Sequence, residues 1–188
     1  MQMTIDNDKD EQRILREMSR IDNFVVDIGI FGGTKTSVKT QSVKLRGKKI
    51  SVKSKQSTGI RIAEYATMNE FGTENIPQRS FIRSTMDENW GYYWSLSTKE
   101  VNRILTGRQR AKGLYVKMGI KIKGDIQRKI TSLRTPPNHP MTIKAKGSSN
   151  PLIDSGSMRM AIAYKVRNKL EAASDDTIVN ASFGSFRR

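Results

Sequence analysis

Several stretches carry residue types that could do chemistry. Gly29–Thr36, GIFGGTKT, nearly spells the phosphate-binding loop G-x-x-x-x-G-K-[ST], but Thr34 stands where the glycine before Lys35 must be. That glycine lets backbone N–H groups close around a phosphate, and the motif must also open a helix, which Ser37-Val38-Lys39-Thr40 does not resemble. Asp154-Ser155 suggests a nucleophile, yet no histidine or lysine stands in register to take the hydroxyl proton. Capping of a short helix beginning near Ser157, by Asp154 or Ser155, is the better account. The single histidine, His139, lies between Asn138 and Pro140 without a carboxylate cluster, which marks a surface residue rather than a metal ligand. There is no cysteine, so no disulfide or thiolate site can form, and a reducing cytoplasm would suit assembly. Neither paired carboxylates nor a nucleophile–base set stands at a readable spacing, so the chain is read as a non-enzyme that needs no cofactor.

The remaining chemistry is electrostatic. Lys and Arg number 34 against 18 Asp and Glu, a formal charge of +16. The excess is localised. Between Gly32 and Thr58 stand Lys35, Lys39, Lys44, Arg46, Lys48, Lys49, Lys53 and Lys55 with no acid, and from Arg103 to Arg134 only Asp125 opposes ten basic residues. Such a field attracts polyanions, DNA foremost, although scattered lysines also serve as a solvated face. No recognition helix or zinc finger is present to read base edges.

The elements that must position these charges follow from periodicity. Ile14, Leu15, Met18 and Ile21 recur at helical spacing, predicting an amphipathic helix over Asp8–Ile21, capped by Asp6 or Asp8. Phe24–Phe31 alternates as a strand with Val26, Ile28 and Ile30 on one face. Val43, Leu45, Ile50 and Val52 flank Arg46-Gly47-Lys48, the arrangement of a β-hairpin; fully extended, it would project ~20–30 Å at ~3.3 Å per residue. A flexible loop is the competing reading. Phe81–Leu105 reads as one long helix or two in succession, with Gly91 a place for a kink. Its aromatic run Trp90–Trp94 is expected in the core, a subunit interface being the alternative. In Ala111–Leu133, Leu114, Met118, Ile122, Ile126, Ile130 and Leu133 form a single stripe along a basic helix able to lie across a sheet. Pro136 and Pro137 end it. A short turn of helix over Met141–Lys146 follows. Ile162–Val166 and Thr177–Phe183 then alternate as a closing strand pair, and residues 184–188 are expected to fray.

The linker between the helix Ile60–Phe71 and the long helix carries the most specified chemistry. Gly72 sits where a left-handed C-cap is needed, Pro77 forbids helix at Ile76, and Ser80 can open the next helix. By itself this is a helix–turn–helix corner. The run YATMNEFGTENIPQRSF, however, resembles the Y-A-x-x-x-E-F-G-T-x-x-x-P-x-R-x-F signature of bacteriophage tail-completion and head-to-tail joining proteins. A second block, PPNHPMTIKAKGSSNPLIDSGSMRMAI from Pro136 to Ile162, is similar to that family's second conserved segment. Ser80, Ser155 and Met158 depart mildly from the proline, threonine and leucine usual there.

Together these readings predict a single α+β domain over residues 1–188. An antiparallel sheet of about four strands is covered by long helices, and a basic hairpin arm over residues 32–58 projects from it. No apolar run approaches a membrane span and the acidic start lacks a signal-peptide n-region, so a soluble protein without a membrane partner is expected. The resemblance implies a virion component at the neck or tail top of a long-tailed phage, assembled in the host cytoplasm. It would form a homo-oligomeric ring, six-fold to match the tail, between the head connector or head-completion protein and the tail terminator or tube, around channel DNA. Glu70, Phe71, Gly72, Pro77, Arg79 and Phe81 would form the subunit or partner contact, with Arg79 pairing to a carboxylate such as Glu70 or a neighbour's. Lys44, Arg46, Lys48, Lys49, Lys53 and Lys55 would meet DNA or an acidic partner. The rival reading is a free protein whose basic surface binds DNA non-specifically.

Overall fold

A computed structural model describes residues 8–31, 42–45, 48–51 and 62–169, with the backbone alone for 42–45 and 48–51. In chain order the elements are α1 (Asp8–Ile21), β1 (Phe24–Ile30), β2 (Ser42–Leu45), β3 (Lys48–Ser51), α2 (Ile62–Phe71), α3 (Arg83–Leu105), α4 (Ala111–Ser132), α5 (Pro140–Lys146), α6 (Ser157–Ala161) and β4 (Ile162–Asn168). The fold mixes helix and sheet, and helix dominates.

The sheet departs from expectation. β1 pairs antiparallel with β4 along its whole length, from Phe24 opposite Asn168 to Ile30 opposite Ile162. Among the described residues this sheet has two strands rather than about four, and Thr177–Phe183, the expected neighbour of β4, lies outside them. β2 and β3 form a separate antiparallel pair, as the expected hairpin requires, in which Leu45 faces Lys48; the turn residues between them lie outside the described residues. Joining β1 to β4 brings together segments far apart in the chain, and just past the ladder Lys169 N donates to the Asn23 carbonyl. Arg167 clamps the pair from the side, its Nε donating to Asp27 Oδ2 at 2.7 Å.

α4 is the central beam. It contacts β1 and β4 on one side and α3 on the other. Its stripe behaves as the spacing predicts: Leu114, Ile122, Ile126 and Ile130 are buried, with Met118 and Leu133 partly so. The sheet can approach closely because position 119 is glycine; a Cβ there would lie 2.5 Å from the Tyr164 ring of β4. Around this seam Ile62, Ala66, Phe81, Tyr93, Leu152, Met158 and Ile162 complete one core.

α3 is a single helix from Arg83 to Leu105 rather than two in succession, and Gly91 lies exposed within it. The aromatic run is not core either. Only Tyr93 is buried, whereas Trp90, Tyr92 and Trp94 are 61%, 52% and 68% exposed. Helical geometry explains this, since one face of α3 meets α4 and adjacent residues point about 100° apart. α1 is amphipathic, yet none of its residues is fully buried and Leu15 stays exposed. It is held by polar contacts instead. Glu17 Oε2 accepts from Ala111 N at 2.8 Å, the Tyr115 hydroxyl donates to the Ile21 carbonyl, and Arg13 donates to the Gly107 carbonyl.

Two glycines of α4 should respond oppositely to alanine. Gly119→Ala drives a methyl into Tyr164 and should lower unfolding free energy by roughly 1–3 kcal/mol. Gly124→Ala, with no neighbouring atom within 4 Å of its Cβ position, should raise it by about 0.5–1 kcal/mol. Urea denaturation of both variants checks the pair.

Candidate assembly site

The corner between α2 and α3 is built around one carboxylate. Gly72 adopts φ +79° and its N–H donates to the Met68 carbonyl, closing α2 with the left-handed cap the sequence predicts. The chain then doubles back so tightly that a Cβ on Gly72 would lie 3.0 Å from the Gln78 nitrogen. This return places the start of α3 against Glu70. Its carboxylate accepts from the N–H groups of Phe81 (2.7 Å), Ile82 (2.9 Å) and Arg83 (3.0 Å), and from the Ser80 hydroxyl (2.8 Å). The N-cap residue Ile82 offers no acceptor of its own, so Glu70 satisfies donors that would otherwise be orphaned. Ser80 adds a local cap, its Oγ accepting from Ser84 N.

Burial alone would push the Glu70 pKa up. The hydrogen bonds from Ile82, Arg83, Phe81 and Ser80 outweigh burial and hold the carboxyl below its ordinary range.

Arg79 does not pair with Glu70. The carboxylate is saturated by α3, and its ion-pair partner is Arg83, 3.2 Å away. Arg79 points the other way, 4% exposed. Its Nε donates to the Pro136 carbonyl at 2.7 Å, one Nη to the Pro137 carbonyl at 2.9 Å, and the other to Asn69 Oδ1. Burial draws its pKa downward, partly countered by Tyr65. The two sequence blocks therefore meet through one guanidinium, which satisfies carbonyls left free by the diproline break.

The second block closes on itself in the same manner. The Asn150 side chain accepts from Leu152 N and Ile153 N and donates to the Thr131 carbonyl, tying the loop to the end of α4. Lys146 donates to the carbonyls of Asn150 and Pro151. Its pKa is lowered by burial first, against the pull of Asp154. His139 caps α5 by accepting from Met141 N. The expected cap of α6 by Asp154 or Ser155 is not formed: its N-cap residue is Gly156, in the left-handed region and without a side-chain cap, and Ser155 Oγ accepts from Ser157 N only in a local turn. Among the described residues no group of three or more His, Asp or Glu side chains could hold a metal ion, and no helix is long and apolar enough to cross a membrane.

The residues expected to contact a partner therefore separate into two sets. Glu70, Arg79 and Phe81 are buried in their own chain and have no surface to offer, because they hold the corner together. Gly72 shapes the turn. Phe71, 52% exposed beneath the Arg83 guanidinium, and Pro77 remain on the surface. Of the expected DNA or acidic-partner contacts, Lys44, Lys48 and Lys49 fall on the hairpin strands, with Lys44 opposite Lys49, while Arg46, Lys53 and Lys55 lie outside the described residues.

The surface that the sequence reading assigned to the core is the flank of α3. Trp90 and Trp94 stand one turn apart, with exposed Leu105 farther along the same flank. The signal was legible as spacing: both tryptophans fall off the face defined by Tyr93, Glu100 and Ile104. Behind them Tyr93 donates to Asp125, which also receives Lys121 and Arg128; burial and then Asp125 push the Tyr93 pKa up.

No protein-family model, characterised protein or solved structure matches this chain.

Replacing Glu70 by Gln should cost roughly 2–4 kcal/mol at pH 7, because an amide cannot accept all four donors and turns its own N–H groups toward them. Since the folded carboxyl has a depressed pKa, its contribution is complete above the unfolded value and fades as pH falls through the folded one. The stability gap between wild type and Glu70→Gln should accordingly narrow below roughly pH 4.3 in urea titrations.

Proposed function

We propose that this chain is a structural subunit of the neck or tail top of a tailed phage, joining the connector to the tail during assembly. The observation that carries the reading is the exposed tryptophan flank of α3 on an otherwise well-knit body. Two tryptophans about 60–70% exposed on a rigid helix are costly to leave in water. Covering them would remove roughly 150 Å² each, about 3–4 kcal/mol of apolar transfer apiece before the cost of association. A neighbouring copy is the natural cover in a ring, and the resemblance of both sequence blocks to joining proteins supports that arrangement.

In this reading the corner keeps α3 at a fixed angle to the sheet, so that every copy presents the same flank. Six copies close the ring, whose two unlike faces dock the head-completion protein and the tail terminator or tube. The assembled subunit would carry the fuller architecture: about four antiparallel strands, with the hairpin Val43–Val52 projecting as an arm toward an adjacent ring or the DNA. Phe71 and Pro77 would lie at the partner contact. No bond is made or broken.

Electron microscopy of the purified chain and of virions labelled for it is the direct test. Rings, with label at the head–tail junction, are expected. Trp90→Ser/Trp94→Ser should remain folded by circular dichroism but fail to form rings. Label absent from mature particles would sink the reading in favour of a free nucleic-acid-binding protein, whereas DNA binding by the free chain alone does not decide between the two.

A further inference from the structure

A groove is lined by residues of α3, α4 and α6, and its lining is cationic. Arg128 and Lys129 enter it from α4, Arg134 from the turn that follows, and Arg159 from α6. It continues toward the start of α3, past Ser132, Arg134, Ser84 and Ser80. Two carboxylates face these four cations, and both are shared or engaged. Glu88 holds Lys129, while Asp125 divides its charge among Arg128, Lys121 and the Tyr93 hydroxyl. Arg134 donates only to the carbonyls of Thr131 and Leu133, and Arg159 has no ion pair among the described residues. The groove thus retains surplus positive charge supplied by three separate elements, within a chain of formal charge +16.

We infer that this groove is a phosphodiester-binding site that grips the backbone of duplex DNA, distinct from the hairpin lysines. Several features select that ligand. The cations are spread along an open trough rather than converging on one point, which suits a continuous polyanion. Arginine and hydroxyl side chains are the usual phosphate partners, and guanidinium forks match phosphate oxygens. Leu133 is the sole apolar side chain in the lining, so an acidic protein would find no anchor of the kind that dominates protein interfaces. Nothing in the groove is placed to read base edges, and binding is therefore independent of sequence. The inference does not depend on the joining role, because the groove belongs to a single chain.

The test is anisotropy of a fluorescent 20-base-pair duplex titrated with full-length protein between about 50 and 200 mM salt. Arg134→Gln/Arg159→Gln should lower the slope of log K against log salt by about 1.8, at about 0.9 per lost phosphate contact. Affinity at the low-salt end should fall at least tenfold. Lys9→Gln/Lys112→Gln removes the same charge from exposed positions on α1 and the far end of α4, and should leave the slope unchanged. All four side chains are exposed, and circular dichroism verifies folding. An equal loss in both double variants would reduce the effect to net charge and overturn the site. An unchanged slope in the groove variant would overturn it too, as would selective loss of poly-glutamate binding by that variant with duplex binding intact.

Discussion

The start of α3, the longest helix described, is fixed by one buried carboxylate. Glu70 closes the last turn of α2 and, through three backbone N–H groups, opens α3. A hydrophobic contact would tolerate sliding. A carboxylate bonded to three successive amides does not, because displacement by even one residue would strand donors in a dry environment. The tight return at Gly72 and the burial of Phe81 then follow as geometric requirements of bringing the helix start to that carboxylate.

The same device recurs at the other long helix. α4 also lacks a side-chain cap at its N-cap residue, and Glu17 reaches from α1 to accept from Ala111. Each long helix is thus initiated by a glutamate borne on another helix, which couples local helix formation to tertiary docking. Arg79 and Asn150 do the complementary work for carbonyls, taking those of Pro136, Pro137 and Thr131 where helices end. No buried side-chain nitrogen or oxygen among the described residues lacks a partner. The polar residues of the two sequence blocks are therefore scaffold, and this frees the outer faces of α3 and α4 to differ chemically. One carries tryptophan, the other cations.

Composition and periodicity by themselves determined the helices α1 to α4, the strand β1, the antiparallel pairing of β2 with β3 and the stripe of α4. Each rests on a local rule: alternation, or a step of three or four. They also set aside the near phosphate loop, most of which lies outside the described residues, but misplaced the start of α6, whose N-cap is Gly156 rather than Asp154 or Ser155. Only the tertiary structure decided that β4 pairs with β1, since a strand pattern does not name its partner. It decided that Arg83 rather than Arg79 pairs with Glu70, because two arginines near one glutamate are equivalent in sequence until the chain turns. Most consequentially, it turned Trp90 and Trp94 outward. An aromatic run contains every helical direction at once, and which member is buried depends on the side from which α4 approaches.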